Sequence, residues 1–512
     1  MNTFKRKALF TAVVAGLGVA GTAEAVYMSP NRTGQVLIYP YYTVQSAGGN
    51  NWNTYISVVN TTSIAKAVKV RVLEGKTSAE VLDFNLFLSP NDVWTAAIIP
   101  NDATATSPGR LVTADTSCTR PAIPTGGVPF RNFQYSVAGS GDALPGTGLE
   151  RTREGYIEML EMGALSGTTA AAITHGATGV PSNCNVVQAT AFTTVPAGQI
   201  LPPRGGLMGT GTLINVNSGR DAGYKADALD AWRNAPIYTD SGFVTPNLAD
   251  AVPTSSVVVR SGDIDVAGTG ASTLITAYRS DFALTSGVSA GARAVASVFM
   301  HTSVLNEYVL DNTSASTTDW VITQPLKNLF VDNVTARQPY SNILTSSGAC
   351  ELVGFTYFNR EEQSAVALGS DFSPLPPSAP GNTICWESTV LSIRNGATHM
   401  PADSTRSTVL GSFNLTNANI NAGFQNGWAT LSFTGVGATT LGMGSAAGER
   451  VAMGTNVVAA TVTAGVVTFY GLPVTGFMIR TFANGGLTCG TASCQGNYGA
   501  AFGHSYTTVV AP

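Results

Sequence analysis

Charge is the scarcest commodity in this sequence. Asp, Glu, Lys and Arg make up 11% of the 512 residues, against roughly 25% in ordinary soluble domains. Solvent must therefore be met largely by Thr, Ser, Asn and Gly, and like-charge repulsion does little to keep copies apart. The net negative charge, which deepens once the N-terminal cations are set aside, argues against nucleic acid and anionic lipid as partners, since both need a concentrated positive field. The 6 cysteines show no C-x-x-C pairing and no neighbouring histidine, which excludes an ordinary zinc cluster. Beyond the N-terminus no apolar run approaches the ~20 residues a membrane-spanning helix needs.

Specific catalytic motifs are missing as well. Gly75-Lys76-Thr77 ends like a phosphate-binding loop, but Val70 stands where its first glycine belongs, so a hairpin turn is expected there. Gly206, Gly209 and Gly211 precede a strand rather than follow one, and complete no dinucleotide fingerprint. No G-x-S-x-G elbow, H-E-x-x-H pair or calcium-loop repeat occurs. No cofactor is expected.

What is present begins at the N-terminus. Lys5, Arg6 and Lys7 precede an apolar stretch from Ala8 to Ala20, and Ala23-Glu24-Ala25 supplies an A-x-A cleavage site. Residues 1–25 read as a signal peptide, the mature chain starts near Val26, and the protein is secreted to the cell surface, the medium or the periplasm. Without the three early cations and Glu24, 27 Lys and Arg against 31 Asp and Glu become a net charge of about −6. In an oxidising compartment the even set Cys118, Cys184, Cys350, Cys385, Cys489 and Cys494 implies three disulfides, sequential pairing being the simplest of the possible connectivities. A Cys118–Cys184 bridge closes a long loop and stabilises by ~4 kcal/mol in the chain-entropy picture.

Period-two alternation dominates the rest. Val68, Val70 and Val72 share one face and Lys69 and Arg71 the other, while Leu82, Phe84, Leu86 and Leu88 repeat the pattern beyond a Glu74-Gly75-Lys76 turn. The fold class is mainly β: antiparallel, immunoglobulin-like β-sandwich modules with long loops and a few short helices. Three units are expected: residues 26–135, an N-terminal sandwich whose strands end near 105 and whose Pro- and Gly-rich remainder is a linker; 136–340, a central β-rich unit; and 341–512, a C-terminal one. Ala222 to Trp232 is the best helix candidate, Ala294 to Met300 reads as a strand, and Ala464-Gly465 as a hairpin turn.

Several phrases, among them Gly34-Gln-Val-Leu-Ile-Tyr-Pro-Tyr-Tyr42, Val81-Leu-Asp-Phe-Asn-Leu86, Thr318-Asp-Trp-Val321 and Gly471-Leu-Pro-Val-Thr-Gly476, resemble a group of uncharacterised secreted β-rich surface proteins of Gram-negative bacteria. The resemblance implies an envelope or extracellular location and assigns no activity.

The most suggestive chemistry is Glu154, Glu158, Glu161, His175 and Cys184, the last set against its disulfide. Glu154 and Glu158 fall on one strand face, and Glu158 with His175 is the acid/base candidate, set against a plain ion-paired strand face served by Arg151 and Arg153. Asp263 and Asp265 form an isolated D-x-D that is a weak calcium candidate. Tyr39, Tyr41, Tyr42, Trp52 and Tyr55 offer a sugar-stacking surface or, equally, core packing. The expected function is a non-enzymatic structural, assembly or adhesion protein whose partners are copies of itself, other envelope components or polysaccharide. A carbohydrate-binding adhesin and a secreted hydrolase are the alternatives.

Overall fold

The computed structural model describes residues 25–511, apart from 48–49, 138–141, 143, 145, 265–271, 285–286, 312–313, 367–381, 396–404, 434–441, 445–446, 454–460, 466 and 490–491. It is mainly β, 47% strand against 10% helix, in several antiparallel sheets, none of which closes into a barrel among the described residues. Two large sheets face each other in the N-terminal half. The first runs in the order Tyr27–Met28, Asp227–Asp230, Val36–Thr43, Glu154–Leu165, Lys66–Glu74, Glu80–Leu88, Cys118–Arg120, with Ile200–Leu201 paired off this path to Glu154–Leu165. The second runs Val128–Pro129, Gly109–Val112, Val93–Pro100, Asn53–Asn60, Leu207–Asn215, Arg220–Lys225.

The alternation of apolar residues sets which faces meet. Val68, Val70, Val72, Phe84, Leu86, Ile157 and Met159 from the first sheet pack against Ile56, Val58, Trp94, Ile98 and Leu213 from the second in one core. Glycine cut into this core has a steric cause: a Cβ at Gly209 would lie 2.2 Å from the Tyr39 hydroxyl, and one at Gly211 2.2 Å from Cζ of Tyr224. The glycine cluster makes room for two rings.

Lys66–Glu74 is buried along its whole length rather than half-solvated, because its second face is also covered. Lys69 pairs there with Asp83, and Arg71 with Glu80 and Glu158. Covering comes partly from the C-terminal half. Thr323 Oγ1 donates to the Pro40 carbonyl (2.5 Å), Tyr156 Oη to the Pro325 carbonyl (3.2 Å), Trp52 Nε1 to the Val409 carbonyl (3.0 Å), and the Ser388 amide to the Gly75 carbonyl (2.8 Å). The first sheet also takes strands from both sides of residue 135.

Two five-stranded sheets form the C-terminal half. One runs Ser364–Val366, Gly354–Asn359, Asn426–Ser432, Ser303–Val309, Ser505–Thr507; the other runs Leu415–Asn419, Ser388–Arg394, Thr317–Thr323, Thr475–Cys489, Ala492–Gly503. In the second of these, Ser388–Arg394 and Leu415–Asn419 are parallel, unlike their neighbours. Buried Asp319 fastens the connection: its carboxylate accepts from Ser392 Oγ, Thr408 Oγ1 and the Val409 and Leu410 amides at 2.7–3.0 Å.

Four expectations are corrected. Ala222–Trp232 is not a helix but the end of strand Arg220–Lys225 followed by Asp227–Asp230; Ala222 and Tyr224 point inward two residues apart, and this alternation outweighs the Leu229–Trp232 spacing. Ala294–Met300 is not a strand: Ala290–Phe299 is a helix, Ala-rich and capped by Ser289 Oγ, which accepts from the Ala292 amide at 3.1 Å. The Pro- and Gly-rich stretch after residue 100 is no free linker, since Gly109–Val112 and Cys118–Arg120 add strands to the two facing sheets. Ala464-Gly465 lies inside strand Thr461–Gly465, which pairs with Ala447–Met453.

Candidate functional site

The expected acid/base pair is not brought together. Glu158 is buried, and its Oε2 accepts from Arg71 Nη1 at 2.6 Å. His175 sits elsewhere, its Nδ1 2.7 Å from Ser89 Oγ and 3.7 Å from Asp92 Oδ2. Glu154 accepts from Tyr41 Oη at 2.7 Å and Ser412 Oγ at 2.5 Å. Glu161 takes Lys66 Nζ and the Arg204 and Gly205 amides at 2.8–2.9 Å. Arg151, expected to serve this face, instead binds Glu74 and Asp142. Each carboxylate is consumed by the fold, in a face that is enclosed rather than solvated.

Cys118 bonds Cys184 and Cys350 bonds Cys385, the sequential pairing. Cys489 and Cys494 lie at the tip of the Thr475–Cys489 and Ala492–Gly503 hairpin, their side chains outside the described ones. Asp265 and the Asp263 side chain are likewise outside the described residues. Tyr39, Tyr41, Tyr42 and Trp52 do not form a sugar-stacking surface: all four are buried, and Tyr39 Oη donates inward to the Ser57 carbonyl at 2.7 Å. Core packing won because these rings lie on covered faces. Tyr55 alone of the set is exposed, at 46%.

One chemically rich cluster escaped sequence reasoning, because its members are hundreds of residues apart. Cavities of about 430 and 590 Å³ share Arg32, Asp227, His504 and Tyr506, and His301 borders the first. His301 stacks on Tyr506 with ring centroids 4.2 Å apart, and its Nδ1 is 2.9 Å from Thr508 Oγ1. His504 Nε2 lies 3.0 Å from the Val321 carbonyl, so that nitrogen carries the proton; Nδ1 then accepts from Asn306 Nδ2 at 3.1 Å. Burial lowers His301 to about 3 and His504 to about 4, and raises the Asp227 carboxyl, which accepts from Thr475 Oγ1. Both histidines are neutral at physiological pH, and His504 has both nitrogens engaged. This cluster knits the two halves. Among the described residues, no three His, Cys, Asp or Glu side chains group closely enough to hold a metal ion.

The outer face of the six-stranded sheet is different. Its neighbouring strands set residues in rows: Thr95, Ser57 and Thr210 in one, Ala97, Tyr55 and Thr212 in the next, Val93, Val59 and Met208 in a third. Ser57 Oγ and Thr210 Oγ1 are 2.7 Å apart. The first two rows floor a shallow hollow of about 680 Å³, and none of the residues lining it is charged. Tyr55, Val93 at 51% and Met208 at 38% remain exposed. Charge on this face sits at its edge strand, where Asp221 and Lys225 are exposed, and the hollow itself, hydroxyls and methyls around one ring, suits contact with a weakly charged surface, because little desolvation of charge opposes it.

No protein-family model matches this chain, and no curated protein and no solved structure matches it.

Proposed function

We propose that this is a non-enzymatic secreted or cell-surface protein that works through its surfaces, in structure, assembly or adhesion, as the resemblance to secreted Gram-negative surface proteins implies. The observation that carries the reading is the hollow on the outer face of the six-stranded sheet, whose lining carries no charged residue and lies mostly on paired strands. Its partner is a second copy of this chain or another weakly charged envelope polymer; the low charge of the chain leaves little electrostatic barrier to lateral packing. Export through residues 1–25 is part of the proposal. It is supported by two disulfides and by Val26, which is buried and bonded through both its amide and its carbonyl to the Thr254–Ser256 backbone. The immunoglobulin-like reading of the N-terminal half rests on two facing antiparallel sheets that share one core. Among the described residues no helix is long and apolar enough to cross a membrane.

The test places a charge in the hollow. Tyr55→Asp and Ala97→Asp, each in the full mature chain, should leave circular dichroism unchanged. Each should weaken self-association in sedimentation, or retention on envelope polysaccharide, by tenfold or more. Wild-type protein that stays monomeric, is not retained, and hydrolyses polysaccharide or peptide would replace this reading with the hydrolase.

A further inference from the structure

A second site lies where the Glu74–Glu80 turn meets the C-terminal half. The turn is fixed from below: Glu74 accepts from the amides of Lys76 and Thr77 at 2.9 and 2.8 Å and from Arg151 Nη2 at 3.0 Å. It holds Ser78 at φ +57°, a left-handed conformation that a non-glycine residue adopts only under local constraint, with Ser78 Oγ 2.7 Å from Tyr156 Oη. Facing it is a pocket of about 290 Å³, with Gln134 and Asn333 exposed on its rim and Lys327 and Glu387 buried in its floor.

Glu387 carries the argument. Its residue is only 4% exposed, and its Oε2 has no hydrogen-bond partner, an expensive arrangement in a folded protein. Lys327 donates to the Ala349 and Cys385 carbonyls at 2.6 and 3.1 Å, leaving one of its three N–H groups uncommitted to them. The remaining groups are mostly donors. Gln134 has its oxygen occupied by the Glu80 amide at 2.7 Å, so its NH₂ is what it offers the pocket. Lys76 lies over the Trp386 ring at 5.0 Å. The other two acids are already engaged, Asp142 by Arg151 and Asp332 by Arg337.

We propose that this pocket binds a small carboxylate-bearing, hydroxyl-rich ligand, a sugar acid such as a hexuronate, whose carboxylate meets Lys76, Lys327 and the Glu387 carboxyl. Burial raises Glu387 to about 8 and lowers Lys327 to about 8. Burial thus biases the Glu387 carboxyl toward its protonated form, which donates, and away from an anion that repels. The charged and titratable groups around Glu387 are Lys327, Glu74, Glu351, Tyr156 and Tyr340; Glu74 is paired with Arg151, and Glu351 accepts the Ser341 and Asn342 amides at 2.9 and 3.0 Å. A site of this size takes one sugar ring, and it is separate from the sheet face on which the surface reading rests.

Calorimetric titration of the full mature chain with D-glucuronate, D-glucose and acetate decides the matter. Glucuronate should bind at least tenfold more tightly than glucose at pH 6.5. Binding should weaken as pH rises through 8, since Glu387 gains and Lys327 loses charge in the unfavourable sense. Lys76→Met, a change at a partly exposed residue that leaves the fold intact, should cost tenfold or more. Glu387→Gln, which keeps a donor, should retain binding at pH 6.5 and lose less of it by pH 9 than wild type. Equal affinity for glucose, or no binding of glucuronate by protein with native circular dichroism, overturns the proposal. Binding of acetate as tight as glucuronate overturns the sugar part and leaves a site for a free small acid. Tyr55→Asp should not alter any of these affinities.

Discussion

Around Glu158, the outer side of the first sheet is a closed set of opposite charges: Arg71 reaches Glu80 at 2.8 Å and Glu158 at 2.6 Å, and Lys69 reaches Asp83. Around Glu387, at nearly the same depth, the nearby cation Lys327 spends two of its N–H groups on the Ala349 and Cys385 carbonyls, and one carboxylate oxygen of Glu387 is left without a partner. Both carboxyls are raised by burial, but at Glu158 the Arg71 guanidinium opposes the shift at hydrogen-bond distance. At Glu158 and Glu161 the sequence has supplied a cation on the neighbouring strand, and at Glu154 and Asp319 hydroxyls and amides satisfy the carboxylate instead. Where it is left over, the surrounding groups leave room for something from outside.

The contrast can be broken most forcefully at Arg71. Arg71→Met should strand Glu158 and Glu80 together and cost roughly 3–5 kcal/mol in urea unfolding at pH 7; a cost under ~1 kcal/mol would mean that the pair is not closed. Glu158→Gln should be milder, about 1–3 kcal/mol, because Arg71 keeps Glu80. The third effect depends on pH. Glu387 holds a proton in the folded chain between its ordinary value near 4.5 and about 8, so its contribution is full at low pH and is lost as pH rises through that window. Lys327, lowered from 10.5 to about 8, acts oppositely, and stability recovers above pH 8. Each limb has a slope of at most ~1.4 kcal/mol per pH unit. Thermal unfolding of wild type should therefore pass through a minimum near pH 8, and Glu387→Gln should flatten the acid limb; a parallel pair of curves would show that Glu387 does not titrate there. The smallest effect is Glu387→Gln at pH 5, where an amide replaces an acid that is already neutral. It should lie within ~0.5 kcal/mol of wild type, in contrast with Glu158→Gln.

Much of this was readable in the chain and some was not, for identifiable reasons. The valines at 68, 70 and 72 and the Leu82–Leu88 series announced strands and their inward face, since alternation is a local property of the backbone. Sequential pairing of Cys118 with Cys184 and of Cys350 with Cys385 followed from the simplest closure. Local signals failed where burial is nearly complete: apart from Arg293 and Ser297, Ala290–Phe299 is made of apolar residues and glycine, so its short run does not distinguish helix from strand, and the Ala222 segment carried both periods at once. Neither the His301–His504–Tyr506 cluster nor the Glu387 pocket had any sequence signal, because Lys76, Lys327 and Glu387 become neighbours only when separate sheets pack.

The sequence by itself determined the β character, the inward faces of the strands and the low charge of the surface, all of which depend on residue type and nearest-neighbour spacing. Tertiary structure alone decided what covers the second face of the first sheet, and therefore whether a charged residue meets solvent or protein. Lys69, Arg71 and Glu158 look like surface residues by type; they are interior because residues distant in sequence cover that face, with Gly242 bonded to Asp83 and Pro325 to Tyr156. Dielectric environment is set by everything within several ångströms, whatever its distance along the chain, and that is why the same residue type gives a paired structural carboxylate at Glu158 and an unpaired one at Glu387.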